Sequence, residues 1–194
     1  MRLNLYLALG AVAGALSAGA EFIPLGDAPA PTLFGYCFGI DSPRPRCDGI
    51  ELSFYLFPGL IFGIIFAGAA AWRGRLDMPR GIAFVIVSCV GNAVATALCV
   101  GLFVPFSDLL GLDGSRIGLA LTGAFSGAIG GGLLSLAAKL VCRARVGRSV
   151  AAASVLGLLV FLVPEWQVAG NFVFYVIWQA GYGAALGAGM PQEA

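Results

Sequence analysis

Two short stripes of neutral polar side chains are the residues of this chain best suited to contact a solute. The first consists of Ser88, Asn92 and Thr96 and continues to Cys99. Spacings of three and four residues place these side chains along one face of a helix. An amide that faces hydrocarbon is costly to desolvate, so we expect Asn92, and likewise Gln179 near the end of the chain, to point into protein or water.

The second stripe lies near the end of the chain and adds aromatic rings to an amide. It consists of Asn171, Tyr175, Gln179 and Tyr182, with Trp178 beside them. One interpretation is that the two stripes line a shared site for an uncharged or weakly polar solute, with the aromatic side chains as its wall. The other, which we favour, is hydrogen bonding between helices, worth about 0.6–2 kcal/mol per contact.

Five cysteines could supply thiol chemistry. Cys37 and Cys47 share one polar segment, and we expect them to form a structural disulfide if that segment faces an oxidising compartment. A redox-active pair is the alternative, although the chain has no C-x-x-C motif to support it. Cys89 and Cys99 fall in an apolar stretch, where they are expected to pack as small apolar side chains. Cys142 lies next to a basic segment and is expected to stay reduced.

Histidine is absent from the chain, and its absence excludes several classes of site. Among them are His-ligated haem, HExxH zinc sites and Ser-His-Asp triads. No charged residue lies in the middle of an apolar stretch, where ion-coupled carriers often have one. We therefore expect no catalytic residues, no metal and no cofactor. A redox or lipid-modifying membrane enzyme is the remaining enzymatic alternative.

Long apolar stretches must position these side chains. Of the 194 residues, 59% are hydrophobic and 11% are charged, whereas a soluble domain has about 25% charged residues. A helix needs about 20 residues to cross the hydrocarbon core of a bilayer. The sequence therefore predicts an all-α, polytopic transmembrane bundle that forms a single domain over residues 1–194. Its six predicted spans are 3–20, 50–72, 81–106, 117–138, 149–164 and 168–190, and the fifth is so short that its full crossing is open.

The distribution of charge predicts which ends of these spans face the cytoplasm. With both termini inside, the inner segments hold eight of the 11 basic residues, as the positive-inside rule requires. The proline-rich segment 21–49 then becomes an outer loop, expected to be partly extended. This arrangement is typical of a multi-pass protein of a bacterial inner (cytoplasmic) membrane. A cleaved signal peptide ending at Ala18-Gly19-Ala20 is the alternative for the first stretch. The inner cluster expected to contact anionic lipid headgroups is Lys139, Arg143, Arg145 and Arg148.

Glycines recur four residues apart inside the apolar stretches. This spacing stacks them on one helix face, where another backbone can approach closely. We expect the resulting glycine seams to pack helices inside the bundle; the alternative is an outward seam that docks a second copy or another subunit. The seams are Gly10 and Gly14; Gly59 and Gly63; Gly123, Gly127 and Gly131; and Gly183 and Gly187.

In size, span number and alanine-rich first span, the chain resembles the substrate-binding subunits of energy-coupling-factor vitamin transporters. Ala11 and Ala15 have the A-x-x-x-A spacing by which those subunits dock their partners. The resemblance is one of form and implies a solute-binding transport subunit. From the residues themselves we expect a non-catalytic subunit or scaffold of a larger membrane assembly or homo-oligomer. A small permease, channel or solute-binding subunit is the alternative, and nucleic acid is not an expected partner.

Overall fold

The computed structural model describes residues 2–20, 32–38, 46–98, 109–112, 116–145, 147–162 and 171–190. Six helices account for most of this part of the chain, so the predicted helical class is confirmed. Each predicted apolar stretch overlaps one of them. They are α1 Arg2–Ala20, α2 Leu52–Trp72, α3 Met78–Leu98, α4 Arg116–Cys142, α5 Gly147–Leu162 and α6 Asn171–Gly189.

The start of α3 differs from the prediction, which placed it at Gly81. The backbone N–H of Arg80 donates to the Asp77 carboxylate at 3.0 Å, so Asp77 caps a helix that begins at Met78. Hydropathy alone misses this boundary because the first turn of the helix contains Pro79 and the charged Arg80. Residues 99–106, which complete the predicted third span, lie outside the described part of the chain.

A two-stranded hairpin occupies part of the segment between α1 and α2. Strand β1, Thr32–Phe38, pairs antiparallel with strand β2, Arg46–Glu51, and α2 follows at the next residue. Cys37 pairs directly with Cys47 in this ladder, and the register is irregular between Thr32 and Gly35. The hairpin adds extended structure to an otherwise helical chain.

The six helices follow one another around a closed ring. Each helix packs against its neighbours in sequence, and α6 returns to pack against α1. Short connections favour this arrangement of antiparallel neighbours. The most extensive contacts join α1 with α6, α2 with α3, and α4 with α5. The ring therefore consists of three tight helix pairs, which meet at three looser junctions.

Among the residues that the structure describes, two helices are long and apolar enough to cross a membrane, namely α3 and the part of α4 from Ala120 to Cys142. Only 22% and 39% of their apolar windows are buried, whereas a core helix of a soluble protein is mostly buried. Ile82, Ile86 and Val90 of α3 are all more than half exposed. Such a continuous outward apolar surface suggests a membrane location. Crossing by all six helices is a proposal.

Candidate functional site

A continuous stack of aromatic rings lies inside the ring of helices. Tyr6 of α1 stacks on Phe66 of α2 with ring centroids 5.7 Å apart, and Phe66 stacks on Phe62 at 4.3 Å. Phe62 contacts Tyr182 of α6 at 5.6 Å, and Tyr182 stacks on Trp178 at 5.2 Å. We call these five residues the aromatic stack. It joins the α1–α6 pair to the α2–α3 pair.

A hydroxyl cluster connects Tyr182 to the third helix pair. The Tyr182 hydroxyl donates to the carbonyl oxygen of Gly131 at 3.2 Å and lies 3.0 Å from the hydroxyl of Ser135. Ser135 in turn lies 2.8 Å from the hydroxyl of Ser149 on α5. Tyr182, Ser135 and Ser149 are all fully buried. Each hydroxyl thus bonds to a helix other than its own.

The indole of Trp178 makes a second link between α6 and α5. Its Nε1–H donates to the carbonyl oxygen of Ala153 at 3.1 Å. Because an indole has one N–H and no acceptor, this bond satisfies the polar capacity of the side chain. Trp178, which was predicted to form part of the wall of a solute site, therefore uses its polar atom in a hydrogen bond to protein.

Gln179 joins α6 to α1, and only half of its amide is bonded. Its Nε2 donates to the Ser17 hydroxyl at 3.0 Å, and Ser17 donates to the carbonyl oxygen of Ala13 at 2.8 Å. Within the described residues, the buried Gln179 Oε1 and the buried Tyr6 hydroxyl have no hydrogen-bond partner. An unsatisfied buried group costs about 1–3 kcal/mol. These two oxygens are the unpaired buried polar atoms of the described interior.

The first polar stripe packs against α2. Ser88 is buried and donates to the carbonyl oxygen of Gly59 at 2.6 Å. A Cβ added to Gly59 would lie 2.7 Å from the Cβ of Asn92, and Thr96 is half-buried one turn further along. The second stripe contacts α1, α4 and α5 through hydrogen bonds, and the Tyr182 ring also contacts Phe62 of α2. Tyr175 is buried on the same helix as Gln179.

The two stripes therefore lie on helices that are not principal neighbours in the ring. Cys99, at the end of the first stripe, lies outside the described residues. The side chain of Asn171, at the start of the second stripe, is also outside the described part of the structure. Ser88 of the first stripe and Trp178, Gln179 and Tyr182 of the second each bond to a helix other than their own.

The glycine seams close against helices of the same chain. A Cβ added to Gly127 of α4 would meet the Ala153 carbonyl oxygen of α5, and one added to Gly157 of α5 would meet the carbonyl oxygen of Gly123. At Gly131 it would meet the Cβ of Ala153. The α4–α5 pair is thus in backbone contact along its length, which only residues without a side chain permit.

The other two tight pairs are built in the same way. A Cβ added to Gly63 of α2 would lie 2.9 Å from the Cα of Val85 on α3. On α1, added Cβ atoms at Gly10 and Gly14 would meet the backbone of α6. On α6, a Cβ at Gly183 would lie 2.6 Å from the Phe66 ring, and one at Gly187 would meet the Tyr6 ring.

The predicted basic cluster lies at one end of the ring. Lys139, Arg143, Arg145 and Arg148 are exposed, and the N–H of Arg145 donates to the carbonyl oxygen of Gly189 at the end of α6 at 2.8 Å. A Cβ added to Gly187 of α6 would meet the Tyr6 ring near the start of α1. Arg75 and Arg80, beside the α2–α3 turn, lie near Cys142 at the end of α4. The described turns α2–α3 and α4–α5, the N-terminal end of α1 and the C-terminal end of α6 therefore converge at this end.

An open apolar groove of about 320 Å³ runs along the outer surface between α2 and α3. Gly68, Gly81, Ile82 and Asp77 are among the residues that line it. None of the five residues of the aromatic stack lines it. In the described part of the chain, no group of three or more Cys, Asp or Glu residues could hold a metal ion.

Sequence reasoning missed several residues of this interior, namely Tyr6, Ser17, Phe62, Phe66, Ser135 and Ser149. The aromatic residues looked like ordinary apolar residues of a span, and the isolated serines had no polar neighbours at helical spacing to mark them. The available signal was a single hydroxyl in an otherwise apolar stretch, since such a group must find a partner within the protein.

Comparisons with protein-family models, with curated proteins and with solved structures find no match to this chain. The function must therefore be inferred from the arrangement of its own residues.

Proposed function

We propose that the chain is a multi-pass integral membrane protein of the bacterial inner-membrane type, with six spans and both termini at the cytoplasmic side. The α2–α3 turn, the α4–α5 turn, the start of α1 and the end of α6 all lie at one end of the ring. This arrangement supports the proposed topology. That end carries the exposed basic residues Arg80, Lys139, Arg143, Arg145 and Arg148. Basic residues next to spans favour the cytoplasmic face.

We further propose that the protein is a non-catalytic subunit or scaffold of a larger membrane assembly or homo-oligomer. The observation that carries this proposal is the use of buried and half-buried polar groups as links between helices. Ser88, Trp178 and Tyr182 each donate to a backbone carbonyl oxygen of another helix. A transport site needs polar groups free to exchange with a solute, whereas a rigid subunit needs them bonded internally.

The glycine seams are consistent with a rigid subunit, although they do not provide its docking surface. Because each seam is covered by a helix of the same chain, a partner would contact the outward apolar faces instead. Interfaces of this kind are formed by van der Waals packing in the bilayer. The basic cluster at the cytoplasmic end would then hold the assembly against anionic headgroups.

Native mass spectrometry of the protein, extracted in mild detergent at its natural expression level, tests this proposal. The expected result is one reproducible stoichiometry, either with a second polypeptide or with further copies of this chain. A lone chain across several mild detergents, at concentrations that preserve known complexes from the same membrane, would contradict the proposal.

A second candidate function, a solute-binding or permease subunit, is favoured by the unpaired atoms of Gln179 and Tyr6. Both lie inside the ring, on the neighbouring helices α6 and α1. A weakly polar solute that donates a hydrogen bond would satisfy the Gln179 oxygen. The candidate requires that Asn92→Leu or Gln179→Leu abolish binding or flux in a protein that still folds, and unchanged transport in both variants would exclude it.

A further inference from the structure

Cys37 and Cys47 occupy directly opposite positions in the antiparallel ladder of the hairpin. Opposite residues of such a ladder have Cα atoms about 4.5 or 5.5 Å apart, depending on the type of pair, and side chains on the same face. Disulfides span Cα separations of about 4.4–6.8 Å. The backbone register therefore satisfies the separation required for a bond between these two residues, whichever type of pair they form.

The register of the two strands is an observation separate from the sequence, in which the two cysteines only share a segment. A shift of the ladder by one residue would place Cys37 opposite Asp48 or Arg46 and turn the two side chains to opposite faces. The observed pairing instead continues through Tyr36 with Asp48 and Phe38 with Arg46 on either side of the cysteines. It is thus the register in which these two residues can be bridged.

We propose that Cys37 and Cys47 form an intrachain disulfide that links the two strands of the outer hairpin between α1 and α2. Bond formation converts two thiols to one S–S bond, and an oxidised dithiol protein or a low-molecular-weight disulfide accepts the two electrons. The S–S bond of that oxidant breaks, and its two sulfurs leave as thiols with the two protons. The inference rests on the proposed topology, because that topology places the hairpin in the compartment where such oxidants act.

The chain contains internal controls for this bond. Cys89 and Cys142 are free in the structure and lie on α3 and at the end of α4. The Cys89 Sγ lies 3.6 Å from the carbonyl oxygen of Leu56, to which it donates. These two thiols should be alkylated in denatured protein whether or not the protein has been reduced first.

Intact-mass measurement after alkylation in denaturant tests the bond. Reduction before alkylation should add two alkyl groups to the wild-type chain relative to the unreduced sample. It should add none to the Cys37→Ser, Cys47→Ser double variant. No gain in the wild-type protein would overturn the proposal. A dimer that reduction dissociates would also overturn it, because it would show bonding between two copies.

A second measurement, the labelling of Cys47 on intact cells, distinguishes a wrong topology from a missing disulfide. In a Cys37→Ser variant, Cys47 is left without its partner and should react with a membrane-impermeant maleimide on intact cells. Reaction only after permeabilisation would contradict the proposed topology, whatever the mass of the wild-type protein. Reaction on intact cells, without a mass gain on reducing wild-type protein, would keep the topology and reject the disulfide.

Discussion

The hydroxyls of Ser135 and Tyr182 lie 3.0 Å apart and join α4 to α6 inside the ring. These helices are not principal neighbours, so the bond crosses the interior while most other links run between adjacent helices. Tyr182 also contacts Phe62 of α2 through its ring. One side chain therefore contacts members of all three tight helix pairs, which makes it the point at which their relative positions are fixed.

Tyr182→Phe should lower the free energy of unfolding by about 1 kcal/mol, within the range for hydrogen bonds between membrane helices. The substitution keeps the ring that stacks on Trp178 and removes only the hydroxyl that bonds to Gly131 and Ser135. Equilibrium unfolding in detergent measures the change. A double-mutant cycle with Ser135→Ala should show coupling, since both substitutions remove the same bond. Strictly additive effects would contradict this assignment.

Gly127→Leu should prevent the α4–α5 pair from forming, because even a Cβ at this position meets the carbonyl oxygen of Ala153. Gly132→Leu on the same helix is the matched control, since an added Cβ there has nothing within 4 Å. Size-exclusion chromatography of detergent extracts should show aggregated or absent protein for the first variant and a normal profile for the second. Equal profiles would mean that the close approach of α4 and α5 is not required.

The sequence predicted the helices well because length and apolar content are properties of each stretch alone. It also predicted that the amides of Asn92 and Gln179 point into protein or water; Gln179 is buried and Asn92 is half-buried. It could not predict which helix each residue contacts, because that depends on how six helices close into a ring. Ser149 and Ser135 illustrate this point, since they are 14 residues apart and meet only because α4 and α5 pack antiparallel.

Arg143→Gly should raise the free energy of unfolding by about 1 kcal/mol. Arg143 has a φ of 54°, in the left-handed region that costs residues other than glycine about 1–2 kcal/mol. The N–H of Arg143 donates to the carbonyl oxygen of Lys139 at 3.1 Å, so Arg143 occupies the position where helices commonly end on glycine. Thermal unfolding measures the gain. Arg143→Ala is the control, because it removes the same charge but keeps the strained backbone, and an equal gain in both variants would exclude relief of strain.

Gln179→Leu separates the two candidate functions, because it changes the chemistry of the side chain with little change in its volume. The substitution loses one bond to Ser17, worth about 0.6–2 kcal/mol, and removes a buried unpaired oxygen that costs about 1–3 kcal/mol. A structural subunit should therefore keep or slightly gain thermal stability and retain its stoichiometry in native mass spectra. Gln179→Ala is the control that shows whether the assay detects destabilisation, because the cavity it leaves should lower stability measurably.

Loss of a co-purifying small molecule or of flux in Gln179→Leu, with stability preserved, would favour the solute-binding function over the assembly function. The unpaired oxygen of Gln179 would then be its ligand-binding atom.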